Sequence, residues 1–215
     1  VEKDQASLEK LLHKNFIELS IAKHNQRSIL FYLHLIKQKD EQTYQHSLRV
    51  ALLGVQIGDF LRIDKKPLLF GGCLHDVGKI YIEDELLKKR HYTKQDMEHM
   101  KEHVMHSYHL VKDIHPFTAE VILRHHKYQE DHYPLILPIS HKEYTATERS
   151  KIDYYARLLA LADFYDAITN RDNDKYGEAK KLSYDEVKDI MFSRNHDQKR
   201  LIRDLYTCEI FGKTK

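Results

Sequence analysis

Leu8, Leu11, Leu12, Phe16 and Leu19 recur at three- and four-residue spacing, which predicts a helix over residues 5–22. The polar stretch His24 to Arg27 interrupts it weakly, and a second helical run reaches Lys37. Leu48, Leu52, Val55 and Phe60 carry a third run over 41–62. Pro67 stands where proline opens a helix, here expected to pass Cys73 and end near Val77. Thr93, with Asp96 three positions on, caps a helix reaching about Val111. Pro116 opens another that ends near His126. Residues 127–149 show no period and hold two of the four prolines. A stretch this long without structure in a compact domain is more often functional than idle. Helical patterning resumes over 150–170, and a polar loop follows over 171–177. Ser183 and Glu186 form a capping box, and a last helix covers about 197–210. No strand-type alternation or repeat occurs. The pattern predicts an all-α protein: one helical bundle over 39–215, preceded by a helical segment over 1–38 whose periodicity fits a linker or dimerisation helix and plain core packing equally well.

Composition narrows the class. Seven Gly and four Pro in 215 residues leave too few turn formers for a fold of many hairpins. Fourteen Tyr and eight Phe, within 41% hydrophobic residues, supply a core and argue against disorder. A net charge of +2 gives no footprint for duplex nucleic acid. No apolar run approaches the ~18 residues of a membrane-spanning helix, and no signal peptide is recognisable. Cys73 and Cys208 stand far apart without CxxC spacing, which fits two ordinary thiols in a reducing, cytoplasmic compartment. Histidine is the outlier: sixteen residues turn attention to metal ligands.

The segment GGCLHDVGKI sets His75 beside Asp76, with Lys79 three positions on and so on the same face of a continuing helix. A carboxylate has two oxygens and can serve two metals. His46 lies 29 residues before His75, and His103 lies 28 residues after it. His125 and His126 form a second adjacent pair before the irregular stretch. Asp163 sits in LLALADFYDAI, where an uncompensated carboxylate would be costly to bury. Five His and two Asp make seven ligands, enough for two octahedral metals sharing one carboxylate. Nitrogen and oxygen donors without thiolate suit Fe, Mn or Zn and disfavour Mg or Ca. His99, His103 and His106 also share one helix face and offer an alternative grouping.

Through YQHSLRVA, GGCLHDVGKI, MKEHVMHSYHLV, RHHKYQEDHYP and LLALADFYDAITNR, residues 42–210 resemble the HD superfamily of metal-dependent phosphohydrolases, and more closely its HD-GYP branch. The resemblance implies an all-α fold, two divalent metals (Fe or Mn), and a cyclic dinucleotide substrate. That substrate is above all cyclic di-GMP, a bacterial second messenger, hydrolysed to linear pGpG or GMP. It implies His46, His75, Asp76 and Asp163 at the first metal, and His103, His125 and His126 at the second, with Asp76 bridging. Lys79 resembles the family's catalytic lysine, and Tyr133, Asp166 and Arg171 fall where the family contacts the nucleotide. A hydroxide held between two metals would attack the phosphorus, while Lys79 and the metals neutralise the phosphoryl oxygens. A homodimer and an upstream sensory domain are the associated arrangement, and the start at Val1 fits the latter.

Two departures stand out. The family's Gly-rich stretch ending in Gly-Tyr-Pro reads EDHYP here: His132 replaces the glycine, and the interval from His125 to Pro134 is one residue short. Gln42 stands where three-metal members carry a Glu, so two metals are expected. The alternatives are another HD chemistry, such as a nucleotide phosphohydrolase or a di-iron oxygenase, and a nucleotide-binding module without turnover. Lys79 favours phosphate-ester hydrolysis, and the full ligand set argues against loss of turnover.

Overall fold

The computed structural model describes residues 2–89, 91–140, 142–170 and 181–212. The described residues form ten α-helices and no strand: α1 (Glu2–Glu18), α2 (Lys23–Lys39), α3 (Glu41–Phe60), α4 (Lys66–Leu74), α5 (Asp84–Leu87), α6 (Lys94–Val111), α7 (Pro116–Leu123), α8 (Ala146–Asn170), α9 (Tyr184–Arg194) and α10 (Lys199–Thr207). Short 3-10 turns cover Val77–Tyr81, His125–Tyr128 and His196–Gln198. None of these helices is long and apolar enough to cross a membrane. Cys73 is buried, Cys208 is exposed, and both are free thiols.

Local chemistry sets the helix ends. Thr93 with Asp96, and Ser183 with Glu186, form the expected reciprocal capping boxes. Thr145 and Glu148 make a third that the pattern did not predict: the Thr145 N–H donates to Glu148 Oε2 (2.9 Å), and the Glu148 N–H donates to Thr145 Oγ1 (3.2 Å). It starts α8 four residues before the expected position. The first break falls at 19–22, not at the polar residues 24–27. Ser20 takes the left-handed conformation (φ 49°), and the Ile21 N–H donates back to the Phe16 carbonyl at 2.9 Å. Ile21 is buried, whereas His24 belongs to the solvent side of α2's first turn.

Leu12, Phe16, Ile29, Leu33 and Ile36 share one buried cluster with Leu48, Leu69, Val104, Val121, Leu159 and Ala162. Helices α1 and α2 therefore contribute buried side chains to the same core as the rest of the bundle. Glu9 fastens α1 to α3 by accepting from Tyr44 Oη at 2.7 Å. At Gly72 the backbones of α3 and α4 nearly touch: a Cβ there would lie 2.3 Å from Ala51 Cα. This close crossing brings His46 of α3 to His75 at the end of α4.

Candidate metal centre

Helix α4 ends at Leu74, earlier than the expected Val77, because the chain tightens around Asp76 (φ −101°, ψ 6°) into the turn Val77–Tyr81. Helix α6 presses on this turn so closely that a Cβ on Gly78 would lie 2.1 Å from the His103 carbonyl oxygen. Ser107 Oγ completes the joint: it donates to the His75 carbonyl and accepts from the Gly78 N–H, both at 2.8 Å. Three residues per turn eclipse positions i and i+3. Lys79 Nζ accordingly rests 2.6 Å from Asp76 Oδ2.

Two buried triads flank Asp76: His46, His75 and Asp163 on one side, His103, His125 and His126 on the other. In each triad the donor atoms lie within 4.8 Å of one another. His46 Nε2 is 3.0 Å from Asp163 Oδ1 and 3.3 Å from His75 Nε2. Asp76 Oδ2 faces this first triad, 3.5 Å from His75 Nε2 and 3.8 Å from His46 Nε2. Asp76 Oδ1 faces the second, 3.2 Å from His103 Nε2. One carboxylate thus turns one oxygen to each triad.

The outer nitrogens fix the tautomers. His75 Nδ1 meets the Gly72 carbonyl at 2.9 Å, His103 Nδ1 the Met100 carbonyl at 2.6 Å, and His125 Nδ1 the Ile122 carbonyl. A carbonyl only accepts, so Nδ1 carries the hydrogen and Nε2 keeps its lone pair. His103 Nε2, His125 Nε2 and His126 Nδ1 are buried without a hydrogen-bond partner. Orphaned buried nitrogens of this kind cost ~1–3 kcal/mol each unless something binds them. Burial also holds His75 below its ordinary pKa, against the pull of Asp76 and Asp163. It drives His125 down to about 3 and His126 well down, with neighbouring imidazoles adding to the effect. Burial pushes Asp76 up, but Lys79, His75 and His103 outweigh it and hold the carboxyl well below the usual range. Asp163 is held down in the same way by His46 and His75. Buried imidazole nitrogens without hydrogen-bond partners, with carboxylate oxygens turned toward them, fit a pair of divalent cations.

All seven expected ligands come together. His99 and His106 do not join them; His106 instead sets its ring 5.2 Å from that of Tyr81. Gln42 is exposed on α3. Tyr133 borders the second triad, stacked on His126 at 4.3 Å between ring centroids. Asp166, expected at the nucleotide, is buried and accepts from His46 Nδ1 (2.7 Å) and from both prongs of Arg49 (2.7 and 2.9 Å). Burial raises its pKa, but His46 and Arg49 prevail and lower it. Arg171, the other expected nucleotide contact, lies outside the described residues. Arg49 and Ser107 were missed. The signal for Arg49 was its place three positions after His46, on the same helix face.

The model of the HD domain family matches residues 43–168. The cyclic di-GMP phosphodiesterase PA4108 of Pseudomonas aeruginosa is 29% identical over 163 residues, covering 72% of this chain and 36% of that protein. A cyclic di-GMP phosphodiesterase of Thermotoga maritima is 28% identical over 153 residues, covering 66% of this chain and 39% of that protein. The chain therefore spans less than two fifths of the length of either. Two crystal structures of the HD domain of the L. monocytogenes phosphodiesterase PgpH, the second in complex with cyclic-di-AMP, superpose with TM-scores of 0.53 and 0.54 at 16% identity. They cover 80% of this chain and 93% and 92% of theirs, a likeness of fold.

Proposed function

The chain belongs to the HD-domain family, and from this we propose that it is a metal-dependent phosphodiesterase hydrolysing a cyclic dinucleotide, cyclic di-GMP before others. The observation that carries the reading is Asp76, with one oxygen toward each triad and the Lys79 ammonium against it. Divalent cations, Fe or Mn, held by His46, His75, Asp163 and by His103, His125, His126 with Asp76 shared, would supply Lewis acidity at phosphoryl oxygen and lower the pKa of a water. Asp76 offsets cationic charge at both positions, and its burial keeps bulk water from weakening that interaction. Lys79 adds a positive charge for the phosphoryl oxygens as their charge grows in the transition state. The Tyr133 ring, beside the second triad, offers a face for a nucleobase. The names of the two curated relatives favour cyclic di-GMP, and the altered EDHYP stretch places the HD-GYP branch and the choice of base within the same proposal.

The test is chromatographic. Protein loaded anaerobically with Fe or Mn is incubated with cyclic di-GMP and, in parallel, cyclic di-AMP, with Asp76→Ala as control. We expect metal-dependent conversion to linear dinucleotide or mononucleotide, reduced at least about 1,000-fold in the variant, the scale at which single members of a catalytic unit act. No turnover of either substrate by protein shown to hold two metals would overturn the phosphodiesterase reading. Turnover of cyclic di-AMP alone would overturn only the base.

A further inference from the structure

The two triads differ in what stands behind them. Among the described residues, His46 is the triad imidazole whose outer nitrogen meets a carboxylate. That carboxylate, Asp166, is saturated: Oδ1 accepts from Arg49 Nε (2.7 Å) and Asn170 Nδ2 (2.8 Å), and Oδ2 from Arg49 Nη2 (2.9 Å) and His46 Nδ1 (2.7 Å). A guanidinium fork fixes the plane of the carboxylate in a way a single ammonium cannot. With its Nδ1 hydrogen committed to Asp166, His46 presents a lone pair on Nε2, and a carboxylate-backed imidazole is the more basic ligand. Asp163 then adds a full negative charge to the same triad. In the second triad, His103 and His125 lean on backbone carbonyls. Its three donors are all imidazoles, which bring no negative charge, and the facing carboxylate oxygen belongs to the shared Asp76.

We infer that Arg49, acting through Asp166, is a positioning residue that makes the His46–His75–Asp163 position the tighter of two metal positions and leaves His103–His125–His126 the exchangeable one. The inference rests on the metal reading proposed above but not on the substrate. Arg49 touches neither triad's inward donors; its effect passes by way of the orientation and basicity of His46.

The experiment is a titration of the metal-stripped full chain with Co2+ against a chromophoric chelator, following the visible absorption of the bound ion. Wild-type protein is expected to show two classes of sites about tenfold or more apart, the scale of one outer-shell carboxylate. Arg49→Met is expected to weaken the tight class about 10- to 100-fold and alter its absorption band, leaving the weak class in place. Arg49→Lys is expected to recover part of the loss. A folding defect would instead weaken both classes together, so equal losses overturn the inference. So do two equal classes in the wild type, or an Arg49→Met titration unchanged from it. Failure of wild-type protein to bind Co2+ at all overturns the metal reading, and this inference with it. Lack of hydrolysis in protein that shows the two classes overturns only the substrate reading.

Discussion

The turn Val77–Tyr81 and the stretch from Gln129 to Thr145 both border the triads, and they are built in opposite ways. Val77, Gly78 and Lys79 are buried, clamped by α6 and by the two hydrogen bonds of Ser107. The other stretch sets Tyr133 against His126 and then runs through Leu135, Ile136 and Ile139, which are 81%, 85% and 93% exposed. A buried metal side on helices holds its donors rigidly, and an open loop beside it can vary with the ligand. On the reading proposed above, the groups that would hold metal and the surface offered to a nucleotide therefore lie in regions of different build.

The largest break in this contrast is Gly78→Ala. With no room for a Cβ against the α6 backbone, it is expected to cost about 3 kcal/mol, the upper part of the overpacking range. Calorimetry should then show a melting temperature about 6–12 °C lower, the scale for a chain of this size. An unchanged melting temperature would mean that the turn yields as the loop does. Tyr133→Ala should leave metal content intact and raise KM for cyclic di-GMP about tenfold, the worth of one base–aromatic stack. Loss of metal instead would place Tyr133 with the rigid side, through its packing on His126.

The frame should also show a pH dependence. His115 is buried against Phe70 (5.1 Å between ring centroids), with Nε2 2.9 Å from Ser28 Oγ. Burial, with His24 adding, holds its pKa below the ordinary 6.5. The unfolded chain therefore takes the proton first. The stability His115 contributes is present above pH 6.5 and is lost as pH falls toward the folded value. His115→Gln should flatten the fall of the urea midpoint between about pH 6.5 and 5. An unchanged slope would count against it. The smallest effect is expected from Leu135→Ser or Ile136→Ser, within about 0.5 kcal/mol in urea unfolding. A greater loss would show that the loop packs as tightly as the turn.

What the sequence made legible was local or borne by familiar residues. Thr93 and Ser183 announce their helices through partners three positions away, and the seven residues singled out as ligands by type and order stand together in one buried site. Contacts between distant positions were not legible. Asp166 and Arg49 stand 117 positions apart, and nothing in either segment names the other as its partner. The end of α4 at Leu74 depends on α6 reaching Gly78, and that is a tertiary fact. The place of α1 in the core was equally hidden, because an amphipathic helix reads alike whether it covers its own bundle or a neighbour.

Helix α8 carries Arg157, Asp163, Asp166 and Asn170 on one uninterrupted 25-residue rod. Arg157 pins the rod to Asp197 and Asn195, and Asp163 points into the first triad. Inserting a single residue between Arg157 and Asp163 would rotate everything beyond it by about 100° and carry Asp163 away from the histidines. The stretch from Gln129 to Thr145 has no such phase to keep. In the course of descent, gains and losses of residues are therefore filtered by position: α8 must keep its count, while the neighbouring loop is free to drift in length. The interval from His125 to Pro134, one residue short of the HD-GYP pattern, lies on the permissive side of that divide.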